Sequence, residues 1–404
     1  MKLINWVELH LNHINLIFPF LGGIFEFITT AILYQYDADF QLNYHPFVSG
    51  INAGIGMSLV MVPYYFIKTH ARKRDILMLG RKYKELSHKR NQPKVRRQRY
   101  LIFFLCAFLD TIKKVLELTF SKKTILNHIW IYNILLISGF NYMINKNKLY
   151  KHQYFSIGVI LLLGTILNII LMHSMSVDQI PLLLLAILVE GIYSLLVVLG
   201  KFGLDNRYCS PFVLTFCEGF LSLIFNIVFL IIASVVPLSA HFKYTNLLYS
   251  CEYKGKKYLD NFNAYIEKLH NFNELLFFFV TMTGKTVFSL FTHITTRYYT
   301  SSHVMIILIL GRISIIMKPM ERYQRVMASI IYFFEFVMIF IFCELVELKC
   351  FGLQQNIKRN IEEKQREELF NKEDEEHAEQ DMWDGLELNS DSASSDHNVS
   401  FEIA

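Results

Sequence analysis

The sequence predicts an all-α polytopic membrane protein: ten transmembrane helices in two inverted five-helix repeats, with a disordered acidic C-terminal tail. Three observations carry this prediction. The chain is 53% hydrophobic with a mean hydropathy of +0.31, whereas a soluble chain of 404 residues would more often form two or three domains of half-polar helices. Apolar windows of about 18 residues or more, each long enough for a hydrocarbon core of roughly 30 Å, recur along it. Lys and Arg gather in alternate links between those windows, as expected for cytoplasmic loops.

Span one covers about 13–34 and carries Glu26, Thr29 and Thr30. The link Gln35–Tyr44 has no lysine or arginine, and span two follows at about 47–67. Span three starts near Tyr100 and meets Asp110 halfway, after which Thr111–Phe120 is amphipathic. Span four, about 124–143, contains Tyr132, Asn133 and Asn141; span five, about 153–173, comes after the basic link Asn145–Lys151. Span six, about 182–200, includes Glu190. A polar link with Lys201, Asp205 and Arg207 separates it from span seven, about 210–236, which buries Glu218 beside Gly219 and ends at Pro237. The longest polar link between spans, Leu238–Asn271, precedes span eight at about 273–292. Span nine, about 302–317, is interrupted by Arg312, and span ten, about 326–346, contains Glu335.

An even number of crossings puts both termini on one side. The positive-inside rule makes that side the cytoplasm, although Lys318, Arg322 and Arg325 after span nine run against the pattern. Ten spans divide into two sets of five, and an odd number per half forces the halves into opposite orientations. The membrane domain is then 1–348, with repeat one at about 10–175 and repeat two at about 180–348. Residues 349–404 form a cytoplasmic amphipathic segment, Cys350–Ile361, and a tail. Residues 361–404 hold 15 Asp/Glu against 3 Lys/Arg, a composition that cannot bury enough apolar surface to offset its ordering entropy. The protein is expected in an endomembrane, with the plasma membrane as the alternative.

The link Lys68–Arg99 carries 13 Lys/Arg against Asp75 and Glu85. Its place between two spans makes it an orientation signal rather than a nucleic-acid site, and it also suits anionic lipid headgroups. The expected partners are therefore a small-molecule substrate and the bilayer, compatible with a homodimer. No C-x-x-C spacing marks a zinc site, and His10 with His13 lacks a third ligand nearby, so neither metal nor cofactor is expected. Thr283–Thr286 reads Thr-Gly-Lys-Thr, but Phe279 stands where a phosphate-binding loop needs glycine. No His/Asp or Ser/His set suggests an enzyme.

Four stretches carry a family likeness. LCAFLD ends in Asp110 at mid-span three. NKNKLYKHQYFSIGVILLLG joins a short basic link to an aromatic-led span five. Lys201 precedes CSPFVLTFCEGF, and TTRYYTSSHV, Thr295–Val304, enters span nine. With these the chain resembles the drug/metabolite transporter superfamily, on the side of solute carrier family 35, the nucleotide-sugar transporter-like proteins. It departs from the family where Ser301, Ser302 and His303 replace an Asp and an Arg. The resemblance covers roughly residues 10–348. It implies ten helices in inverted repeats, a central cavity and alternating access for a polar metabolite such as a nucleotide-sugar or an organic anion. A non-transporting scaffold or trafficking protein on the same fold is the alternative.

Ionisable groups at membrane depth are costly and should face a cavity or a partner helix. Glu26, Asp110, Glu190, Glu218 and Glu335 are candidates for proton coupling or cation binding, against a structural pairing. Lys285 and Arg312 are candidate donors to an anion, Arg in a bidentate fork, against salt bridges to Glu218 or Glu335. Tyr132, Asn133, Asn141, Asn226, Thr281 and Thr283 could line a cavity, against the interhelical hydrogen bonding such residues commonly provide.

Overall fold

The computed structural model describes residues 7–9, 17–37, 45–66, 92–120, 129–172, 180–207, 209–238, 251–268, 272–313 and 322–348. The bundle belongs to one compact unit, Leu9–Leu149 with Gln153–Val346. Among the described residues, helical stretches fall on all ten predicted places. They are α1 Ile17–Asp37, α2 Pro46–Leu59, α3 Pro93–Phe120, α4 Asn133–Asn145, α5 Lys151–Met172, α6 Ile180–Asn206 and α7 Pro211–Val235. After the short helix α8, Phe262–Lys268, come α9 Phe272–Tyr298, α10 Val304–Arg312 and α11 Arg322–Phe342. The strands are β1 Val7–Leu9, β2 Cys251–Tyr253, β3 Lys256–Tyr258 and β4 Val346–Leu348. The basic link over 67–91, the His10–His13 pair and the acidic tail from 349 lie outside the described residues.

Among the described residues, five helices are long and apolar enough to cross a membrane: α2 with its continuation to Phe66, α5, α6, α7 and α11. The protein therefore has the make-up of an α-helical membrane protein. Helix α3 carries Asp110, Lys113 and Lys114 inside its apolar run, and α9 carries Lys285 inside its own.

Local chemistry sets the helix ends. Proline occupies the first turns of α2 and α7, where a missing N–H costs nothing. Asp260 supplies the cap that the N-cap residue of α2, His45, does not. Its Oδ2 accepts the N–H groups of Phe47 at 2.8 Å and Val48 at 3.3 Å, which no intrahelical carbonyl can receive. Pro63 cannot donate to Leu59, and just before it the ladder tightens, with Val60 N–H reaching Met57 O at 3.3 Å. Helix α7 stops ahead of Pro237.

Several boundaries differ from the expectation: α3 begins at Pro93 rather than near Tyr100, and α9 runs on to Tyr298 rather than to about 292. Helix α6 continues past Gly200 to Asn206, so Lys201 and Asp205 are helical rather than part of a link. They form an i,i+4 ion pair at 2.9 Å. Lys201 Nζ also donates to Tyr299 O at 2.6 Å, and Arg297 Nη1 donates to Leu204 O at 2.5 Å. Basic groups from α9 and α6 thus satisfy carbonyls that the helix ends leave open, which lets α6 run on.

The helices pack in matched sets. Helix α1 packs on α9 and α10, while α6 packs on α3 and α4. Helix α2 packs on α9 and α3, while α7 packs on α3 and α9. The α2–α7 crossing is the most extensive and joins the two sets. Replacing each first-half helix by the one at the same place in the second half turns each of these pairings into another of them. Three pairings stand outside the pattern: α6 packs on α9, α10 on α11 and α9 on α10, with no comparable α1–α3, α4–α5 or α3–α4 packing among the described residues.

Backbones approach closely at the α2–α7 crossing. A methyl group on Gly219 would lie 2.3 Å from Met57 Cβ and 3.1 Å from Gly54 O. One on Gly50 would lie 2.2 Å from Asn226 Oδ1. Small residues at such crossings let dispersion and polar contacts replace the hydrophobic drive that lipid removes.

Candidate functional site

Helices α2, α3, α6, α7 and α9 enclose a small cavity whose lining includes Met57, Asp110, Lys113, Lys114, Tyr193, Glu218, Lys285 and His293. On α3, Asp110 and Lys114 are one turn apart, and the Lys114 ammonium donates to Asp110 Oδ2. Lys113 lies over the ring of Tyr193 from α6, its Nζ 4.8 Å from the centroid, a cation–π distance. From α7, Glu218 Oε2 meets His293 Nε2 of α9 at 2.7 Å, and both side chains are buried. Lys285, two turns before His293, is half-buried with its Nζ 6.0 Å from the centre of the Phe288 ring.

The charges do not balance within this set. Two of the carboxylate partnerships are taken, Asp110 by Lys114 and Glu218 by His293. Among the described residues no carboxylate lies within ion-pair distance of Lys285, so neither Glu218 nor Glu335 is its salt-bridge partner. Three ammonium groups thus face a cavity that offers two carboxylates. A low-dielectric site with surplus positive charge attracts an anion. The cavity volume is about 40 Å³, room for a few waters at most. Ligand pockets for small metabolites are roughly 300–1,000 Å³, so the helices are closed around the charges here.

Other predicted residues serve elsewhere. Asn133 is fully buried and ties α4 to α6. Its Nδ2 donates to Glu190 Oε2 at 2.6 Å and its Oδ1 accepts from Ser194 Oγ at 2.7 Å. Asn226 donates to Ser222 O at 2.7 Å beside Gly50, and the Ser222 hydroxyl bonds Thr111 of α3 at 3.1 Å. The Asn133 and Thr111–Ser222 contacts are the interhelical ties that polar residues provide in bundles, while the Asn226–Ser222 bond lies within one turn of α7. Tyr132, in the 3₁₀ turn before α4, bonds Thr165 at 3.4 Å away from the cavity, and Thr283 is exposed on α9. Asn145 donates to Asn141 at 2.7 Å within one turn.

Glu26 packs its Cγ where a Cβ on Gly311 would be 2.5 Å away, and its Oε2 is buried without a hydrogen bond among the described residues. Glu335 is fully buried in α11 with neither carboxyl oxygen hydrogen-bonded among the described residues. The Arg312 side chain lies outside the described part. Of the thirteen sequence candidates, the cavity therefore brings together Asp110, Glu218 and Lys285, and it adds Lys113, Lys114, Tyr193 and His293, which the sequence did not single out.

The missing signal was periodic. Lys285, Ser289, Thr292 and His293 recur at steps of four, three and one along α9, all lining the cavity. Asp110, Lys113 and Lys114 do the same on α3. Both runs describe one polar stripe on an otherwise apolar helix. No protein-family model matches the chain, and no curated protein matches it.

Proposed function

We propose that the protein is a secondary transporter of a small organic anion, working by alternating access on ten crossings in two inverted five-helix repeats. The observation that carries the reading is the lysine-rich lining of the cavity, where Lys285 has no carboxylate within ion-pair distance among the described residues. Lys285 is the group best placed to meet a substrate, because it has no carboxylate of its own among the described residues. The matched helix pairings support the repeat, since α3 and α9 hold the same place in their halves and both carry the charged face. Sites at a repeat interface are the rule for such transporters. Both termini are cytoplasmic in this reading, and the membrane is an endomembrane or the plasma membrane.

The substrate class includes nucleotide-sugars, organic phosphates and carboxylates, all of which an ammonium cluster recognises. The Glu218–His293 contact shares one proton between two groups that can each carry it, and it supplies an element for proton coupling. Opening on one side must enlarge the cavity several-fold. The small volume is the observation that favours the second reading, a non-transporting membrane scaffold.

Uptake by liposomes separates the two. Purified protein preloaded with an unlabelled organic anion should accumulate the labelled one above protein-free liposomes. Absence of exchange across nucleotide-sugars, organic phosphates and carboxylates would leave the scaffold reading standing.

A further inference from the structure

His45, Cys251 and Asp260 meet at the head of α2, and their ligating atoms all lie within 4.8 Å of one another. The sequence hides the cluster, because His45 and Asp260 are 215 residues apart. Three local structures bring it together. His45 is the residue before the first turn of α2, Cys251 opens the β2–β3 hairpin, and Asp260 follows that hairpin. The hairpin turns through Lys254 and Gly255, both at positive φ (49° and 72°) as a tight two-residue turn demands. All three side chains are buried, at 1%, 5% and 0% exposure for His45, Cys251 and Asp260.

The imidazole Nδ1 of His45 is a donor when it carries its proton and an acceptor when it does not. Asp260 Oδ1 lies 2.7 Å from His45 Nδ1, and only a proton or a metal ion makes that approach favourable. The other imidazole nitrogen, Nε2, is buried with no hydrogen-bond partner among the described residues. The Cys251 sulfur lies within reach of both the ring and the carboxylate. Thiolate, imidazole and carboxylate are zinc's own donor types, and three protein ligands with an open fourth position form a known zinc arrangement. The thiolate and carboxylate together carry two negative charges, which a dication neutralises where burial penalises unpaired charge.

We infer that His45, Cys251 and Asp260 form a binding site for a divalent zinc-type cation that fastens the 251–261 segment to the N-terminus of α2. The inference stands apart from the transport reading, because the site shares no residue with the lysine-lined cavity. Asp260 has capacity for it, since a carboxylate offers about four lone-pair directions and the backbone N–H groups of Phe47, Val48 and Asn261 occupy three.

The test uses the purified full-length chain, stripped with chelator and titrated with Co²⁺ as the spectroscopic probe. The expected result is one Co²⁺ per chain with a thiolate-to-cobalt charge-transfer band, competed away by Zn²⁺. Cys251→Ala should remove the band and lower affinity at least tenfold, with a melting temperature equal to that of the chelated wild type. His45→Gln is the second variant and should weaken binding without needing Cys251 to change. Failure of the wild type to bind one equivalent, binding without the sulfur band, or a band that survives Cys251→Ala each overturns the assignment.

Discussion

Glu218 of α7 and His293 of α9 meet at 2.7 Å, with both side chains buried. The contact joins the two helices on the wall of the lysine-lined cavity, and each group is the other's hydrogen-bond partner there. Removing one partner leaves the other desolvated and unsatisfied. His293→Ala should therefore destabilise the protein by about 3–5 kcal/mol, read as a fall in melting temperature in detergent. Glu218→Gln retains a hydrogen-bonding amide and should cost less than half as much. The double variant His293→Leu/Glu218→Leu should recover much of the loss, so additive penalties would contradict the pairing.

Asn133 illustrates a polar residue whose work is structural. It receives Ser194 and donates to Glu190, so it holds α4 against α6 through both ends of one amide. Asn133→Leu removes the amide donor to the buried Glu190 carboxylate and the acceptor of Ser194, and should cost about 1–3 kcal/mol. The exchange rate per folded molecule should stay within about twofold of wild type, a difference of roughly 0.4 kcal/mol. A selective loss of transport with unchanged melting would place Asn133 in the substrate path instead.

Gly219 tests the close crossing of α2 and α7. A side chain there meets Met57 Cβ, which is anchored directly to backbone and cannot swing aside. Gly219→Val should destabilise by about 1–3 kcal/mol through overpacking. Gly139, whose Cβ would meet nothing within 4 Å, is the control, and Gly139→Ala should leave melting unchanged or slightly raised. Equal behaviour of the two variants would refute the crossing geometry.

The helical frame was legible because lipid-facing helices write themselves as uninterrupted apolar runs. Span two, expected at about 47–67, is helix from Pro46 to Phe66, and span seven, expected at about 210–236, is Pro211–Val235. Hydropathy reads runs and not faces, which is why α3 begins seven residues before Tyr100 on a basic turn and why α6 extends through Lys201 and Asp205. The site was half legible for the same reason. Glu218 and Lys285 stood out as lone charges in apolar runs, whereas His293 and Lys113 sat near helix halves already rich in polar residues. Their meeting depends on tertiary packing, as does the His45–Asp260 contact across 215 positions. Thr283, chosen for its type alone, faces outward because α9 turns the other side to the cavity.

The lysine surplus also predicts a ligand effect on stability. An organic anion that binds the folded protein at a hundred times its Kd should stabilise it by about 2.7 kcal/mol. Thermal shift across nucleotide-sugars, organic phosphates and carboxylates should therefore find at least one anion that raises the melting temperature. Cations of similar size should not, and a panel in which only cations stabilise would reverse the sign assigned to the site.

The most direct test is the initial rate of anion exchange in liposomes for wild type and Lys285→Met at matched protein content. Lys285 is half-buried and has no carboxylate partner among the described residues, so its removal should leave folding intact. Losing one charge-assisted hydrogen bond of about 1.5–3 kcal/mol corresponds to a fall of roughly ten- to a hundredfold. A rate for Lys285→Met within about twofold of wild type, a difference of only roughly 0.4 kcal/mol, would contradict the assignment of this cavity as the anion site.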